Sequence, residues 1–173
     1  VTAAEISSSF AQVGPLAAQM GVEIEELAAG FARLTASGTP AGEAATQMAS
    51  ALTALLKTTP GLEALQKQTG KNYAAIAGDK GLVEALQQMR VDAEKGGVAL
   101  VDLVGRKEAL LYILQTTGPN FDAYNADLRA MGDAAGTASE QMGERQQGLA
   151  FQLSKLKANL IDAGVTVAEG VLP

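Results

Sequence analysis

Apolar residues recur along this chain at steps of three and four, the spacing that lines up one face of an α-helix. Ile6, Phe10 and Val13 begin the pattern. Ahead of them Thr2-Ala3-Ala4-Glu5 has the form of a capping box, in which the threonine hydroxyl and the glutamate carboxylate each accept an amide left orphaned at a helix start. Gly14-Pro15 predicts a break or kink, leaving Leu16–Met20 as a short second piece. After Gly21, Ile24, Leu27, Phe31 and Leu34 define the next helix. Glu23, Glu25 and Glu26 fall at its start, where the helix dipole favours acids. Gly30 sits inside it at a cost of roughly 1 kcal/mol against alanine, so a close helix contact is expected there. Thr39-Pro40 reads as N-cap and first helical residue. Ala45, Met48, Leu52 and Leu55 follow on one face, and Pro60-Gly61 ends that helix. Leu62 and Leu65 mark a short helix stopped by Gly70.

Residues 71–81, KNYAAIAGDKG, resist a helical reading. Tyr73 and Ile76 are expected to tuck onto the core or form a short extended strand, and Gly78 to Gly81 a turn. Helix returns with Leu82, Leu86, Met89 and Ala93 and ends at Gly96-Gly97. Val98 to Gln115 is the most apolar region; it predicts two helices meeting near Gly105 at the buried centre of a bundle. Gly118-Pro119 ends it, and Asn120 is placed to cap a helix carrying Phe121, Tyr124, Leu128 and Met131. The small residues of 132–138, GDAAGTA, predict a linker. Beyond it Met142, Gln146, Leu149, Leu153, Leu156, Leu160, Ala163 and Val167 alternate steps of four and three, the a/d seam of a coiled coil. Gln146 and Ala163 weaken that seam. Met142, Leu149, Leu153, Leu156, Leu160 and Val167 are thus candidate helix–helix interface residues. The seam either packs within its own domain or meets another copy or chain. The fold class expected is all-α: an Ala-rich multi-helix bundle over 1–131, a linker over 132–138, and a long heptad-like helix or coiled-coil arm over 139–173. The start at Val1 and the stop at Pro173 read as cuts in a longer chain.

Composition sharpens this picture. Hydrophobic residues make up 47% but aromatics only 4%, so the core is expected to be thin and built from closely packed helices. Cysteine, histidine and tryptophan are absent. No disulfide can form, and zinc, haem and iron–sulfur sites lose their usual ligands. Cys–His and Ser–His–Asp nucleophile systems are excluded within this chain. The net charge is −6, and Lys155 and Lys157 are too few to make a basic patch. No direct nucleic-acid binding through phosphates is therefore expected. No apolar run is long enough to suggest a membrane segment.

Candidate chemistry fails on inspection. Gly70-Lys71 would need glycine at 65 and Ser or Thr at 72 to be a phosphate loop; the residues there are Leu65 and Asn72. Glu25 and Glu26 are adjacent and point different ways on a helix, so they do not make a carboxylate pair for glycoside hydrolysis. Ser7-Ser8-Ser9 has no base partner. No catalytic, cofactor-binding or metal-binding residue is assigned, and the chain is expected not to be an enzyme.

Several ordered features together resemble the core region of bacteriophage tail tape-measure proteins. The first spans 11–70: Gly14-Pro15, Gly21-Val22, Glu25-Glu26, Ser37-Gly38 and Pro60 punctuate its helices. The second is LVEALQQM (82–89) followed by LVDLVGRKEALLYILQ (100–115). The third is the closing stretch 147–173, ending Val167-Ala168-Glu169-Gly170-Val171-Leu172-Pro173. The resemblance implies a structural parent protein in the lumen of a virion tail, assembled in the bacterial cytoplasm. That parent would set tail-tube length and be released with DNA ejection. Implied partners are the tail tube protein and tail assembly chaperones, with self-association through the C-terminal helix. It carries over no catalytic residue. A competing reading is a helical adaptor or secreted helical bundle that binds a partner protein. A cell-wall hydrolase module would need a muramidase or peptidase domain, which this sequence does not supply.

Overall fold

The computed structural model describes residues 2–140 together with Lys155 and Ala158. Among the described residues every regular element is helical: α1 (Ala3–Met20), α2 (Ile24–Ala36), α3 (Ala41–Leu56), α4 (Pro60–Thr69), α5 (Tyr73–Lys80), α6 (Leu82–Gly96), α7 (Leu100–Val104), α8 (Lys107–Thr116) and α9 (Phe121–Glu140), with a 3₁₀ turn at Gly118–Asn120 before α9. The all-α class is as expected. The candidate seam residues Met142, Leu149, Leu153, Leu156, Leu160 and Val167 lie outside the described residues.

Local signals account for most boundaries. Thr2 and Glu5 form the capping box of α1, with the Glu5 amide donating to the Thr2 hydroxyl at 3.3 Å and the Thr2 amide to the Glu5 carboxylate at 2.6 Å. Thr59 accepts from the Leu62 amide and Pro60 opens α4. Gly105, at φ +66, separates α7 from α8 as the apolar pattern predicted.

Five local expectations are corrected. α1 runs unbroken through Pro15. Its buried stripe of Phe10, Val13, Ala17 and Met20 continues on both sides of the proline, and Pro15 and Ala11, the residue a turn before it, both face outward. Packing thus holds the helix where the ring removes one hydrogen bond. Residues 73–80 are helix rather than strand and turn, because the Asn72 side chain accepts from the Ala75 amide and caps α5. Tyr73 and Ile76 do tuck onto the core. Gly78 is a packing residue rather than a turn residue: a Cβ there would run into the Met20 carbonyl, so its absence lets α5 meet the end of α1. Thr39 does not cap α3, whose N-cap position is Pro40; its hydroxyl lies 3.4 Å from Gln115 Oε1 instead. Asn120 closes the end of α8 by donating to the Leu114 carbonyl at 2.9 Å rather than capping α9. Residues 132–138, expected as a linker, are helical and continue α9.

The centre of the bundle is α3, not the 98–115 segment. α3 packs against α1, α2, α5, α7 and α8, and Ala44, Ala45, Met48, Ala51, Leu52, Ala54 and Leu55 are all buried. A helix enclosed on several sides must be thin, and its alanines let the neighbours approach. The more apolar α7–α8 segment lies against it, burying Leu103, Val104, Tyr112 and Ile113. Its outer face leaves Val101 52% and Leu114 42% exposed, as an outer helix can and an enclosed one cannot.

Candidate functional site

Among the described residues no group of three or more His, Cys, Asp or Glu side chains is placed to hold a metal ion. No helix there is long and apolar enough to cross a membrane. A shallow hollow open to solvent is lined by Glu63, Gln66, Lys67, Gly70, Lys71 and Asn72. Two buried or half-buried polar junctions join residues distant in sequence.

The first junction joins α4, α5 and α6. Tyr73 is fully buried at the start of α5. Its hydroxyl donates to Asp92 of α6 at 2.9 Å and lies 3.4 Å from the Thr69 hydroxyl. Lys71 donates to the same Asp92 oxygen at 2.6 Å. Burial opposes the charge on Asp92, but hydrogen bonds from Lys71 and Tyr73 and the charges of Lys71 and Lys95 together hold its carboxyl below the ordinary value of 3.8. Burial, with Asp92 adding to it, pushes the Tyr73 hydroxyl up to about 12. This junction is a satisfied polar tie between helices.

The second junction joins α2, α6, α8 and α9 around Glu26. The α6 start has no local side-chain cap, because Gly81 fills that position. Glu26 supplies the acceptor from α2: its Oε2 takes the Leu82 amide at 2.7 Å. Its carboxylate lies close to where a Cβ on residue 81 would be, and the φ of +106 at Gly81 is what favours glycine there. Burial, reinforced by Glu23 and Glu25, pushes the Glu26 carboxyl above its ordinary value, against the pull of the Leu82 hydrogen bond. One turn along α2, Gly30 meets the ring end of Tyr112 from α8, the close approach its position predicted. The Tyr112 hydroxyl is buried there and has no hydrogen-bond partner; burial and the charge on Glu26 both raise its pKa. Tyr124 of α9 donates to the Glu26 carbonyl at 3.4 Å, and Arg33 reaches Asp127 at 3.7 Å.

The sequence placed Glu26 only at the start of its own helix. Its role at the start of α6, 56 residues on, is a tertiary fact. The lack of any side-chain acceptor in Lys80-Gly81 ahead of a strong helical pattern was the available signal that a cap must come from elsewhere.

Both junctions tie helix to helix. The described residues thus form an all-α bundle whose polar sites join one helix to another. No solved structure matches this chain. It is similar to the probable tape measure protein of Clostridium phage phiCD119, with 31% identity over 174 residues that cover 96% of this chain and 18% of that protein. The chain therefore spans about a fifth of the length of that relative. The family model for phage-related minor tail proteins matches residues 1–105. The chain belongs to the phage-related minor tail protein family, in keeping with its resemblance to tail tape-measure proteins.

Proposed function

We propose that this chain is structural material within a tape-measure protein that sets tail-tube length during virion assembly and is released from the tail lumen with DNA ejection. The observation that carries this reading is the similarity to a probable tape measure protein along nearly the whole chain. A helix rises about 1.5 Å per residue and is about 10 Å wide, so a helical chain inside a tube converts residue number into length. A compact bundle does not. The bundle over 1–131 is accordingly a folded station on the ruler, and 139–173 an arm continuing into the filament. The heptad pattern of Met142, Leu149, Leu153, Leu156, Leu160 and Val167 gives that arm a seam for self-association or for another chain. The segment 132–138 is helical as part of α9, so in this reading the bundle passes into the arm without a break in that helix. Partners in this reading are the tail tube protein and tail assembly chaperones, the site of assembly is the bacterial cytoplasm, and the role is structural rather than catalytic.

In-frame duplication of 139–173 in the parent gene tests the ruler. Tails measured by electron microscopy should lengthen by about 50 Å, at roughly 1.5 Å per helical residue. Unchanged tail length in infectious particles would refute the role of this segment as measuring material.

A further inference from the structure

The first and last helices of the described chain point out of the same end of the bundle. The turn 37–40 between α2 and α3 marks that end. Near the start of the chain, the Ser9 hydroxyl donates at 3.4 Å to the carbonyl of Ala41, the first residue of α3, and the Phe10 ring lies 5.8 Å from that of Phe31 in α2. α1 therefore begins beyond the start of α3, with Ala4, Glu5, Ser7 and Ser8 exposed. It runs to the opposite end, where the Met20 carbonyl meets Gly78. α2 returns from there, and α9 follows it: Tyr124 meets α2 at Glu26 and Asp127 meets it at Arg33, so the two helices run parallel. α2 stops at Ala36, within a turn of Arg33, whereas α9 continues to Glu140. The start of α1 and the end of α9 thus both project past the 37–40 turn. They do so differently. The Thr2–Glu5 capping box closes the start of α1, with Thr2 in extended backbone, so the helix does not run back through Thr2 and the chain turns there. α9 carries its own direction onward.

We propose that the bundle is a side loop on the filament: the chain enters and leaves by one end, so residues 3–131 fold off the ruler and add almost nothing to the length it measures. The proposal rests on the reading of this chain as tape-measure material. Three arrangements differ in what they add. A continuous helix of about 130 residues would span about 190 Å at roughly 1.5 Å per residue. A bundle threaded from one end to the other would add at least the length of α1, whose 18 residues span about 27 Å. A bundle entered and left at one end adds only the sideways offset between two of its helices, with neighbours about 8–10 Å apart. The turn at Thr2 lets the incoming chain meet the bundle from the side, and α9 sets the line along which the chain departs.

In-frame deletion of residues 3–131 from the parent gene, measured beside the duplication of 139–173, separates this proposal from the reading beneath it. Where the duplication lengthens tails, the deletion should change their mean length in electron micrographs by less than about 27 Å, one helix of the length of α1. A larger shortening, up to about 190 Å, would overturn the side loop and leave the ruler standing. No change with either variant would sink the ruler reading, and the side loop with it. If particles lacking the bundle do not assemble, distances within the chain decide. It has no cysteine, so cysteines introduced at the exposed positions Thr2, Asp79 and Gly132 are the only sites for spin labels. Pulsed electron resonance should give a shorter distance for the pair Thr2→Cys and Gly132→Cys than for Thr2→Cys and Asp79→Cys, because Asp79 follows the residue that meets the far end of α1. The reverse order would overturn the proposal.

Discussion

Tyr73 and Tyr112 are both fully buried in the same bundle, yet they sit in regions of opposite character. At the α4–α5–α6 junction, Tyr73 donates to Asp92, and Lys71 completes the group. At the α2–α8 junction, the Tyr112 hydroxyl is pressed against Gly30 with no hydrogen-bond partner, and a half-buried acid, Glu26, stands one turn away. Burial is the same; satisfaction is not. A buried hydroxyl with a charged partner stabilises the fold, whereas one without a partner keeps the cost of desolvation. One region is therefore a tie, and the other a seam that leaves one buried hydroxyl unpaired.

Packing changes test this contrast most strongly. Leu52→Ala, in the middle of α3, should cost about 2–5 kcal/mol and lower the urea midpoint with an unchanged m-value. This sets the scale of a fully dry region against which both junctions are compared. Gly30→Ala should cost less, about 1–3 kcal/mol, because its Cβ would collide with the Tyr112 hydroxyl. Combining it with Tyr112→Phe should recover part of that loss. Equal losses in the single and double variants would show that the collision is not with the hydroxyl.

The two junctions also differ in the sign of their pH dependence. Asp92 has a lowered pKa, so its contribution is present above the ordinary value of 3.8 and is lost as pH falls through the folded value. Glu26 has a raised pKa, so its contribution is present below the ordinary value of 4.5 and is lost as pH rises through the folded value. Melting temperature measured against pH should therefore show an acid limb that flattens in Asp92→Asn and a separate limb above it that flattens in Glu26→Gln. One limb responding to both variants would mean that the junctions are coupled. The smallest effect is expected far from both. Thr2→Ala removes half of an exposed capping box and should cost at most about 1 kcal/mol, seen as faster exchange in the first turn of α1.

Much of this fold is legible in the sequence, because helix periodicity and caps are local. The stripe of Ile24, Leu27, Phe31 and Leu34, the Thr2–Glu5 box and the Gly105 division all appear where short-range chemistry puts them. Residues 73–80 are helical because the Asn72 cap starts the helix and Gly78 within it serves contact with α1 rather than a turn. The centre was misplaced because large apolar residues draw attention to 98–115, whereas enclosure on several sides selects the alanines of α3. Of the junctions, only the close approach at Gly30 is legible in the sequence; the partners of Asp92 and Glu26 are not. Asp92 and Glu26 gain their roles from partners 21 and 56 residues away, and no local pattern encodes such pairings.

The central contrast is tested most directly by two single-atom deletions compared in one urea series. Tyr73→Phe should destabilise the chain by about 1.5–3 kcal/mol, the range for a hydrogen bond to a charged group. Tyr112→Phe should leave stability unchanged or raise it, because the hydroxyl removed was buried without a partner. Losses of equal size in the two variants would contradict the division into tie and seam.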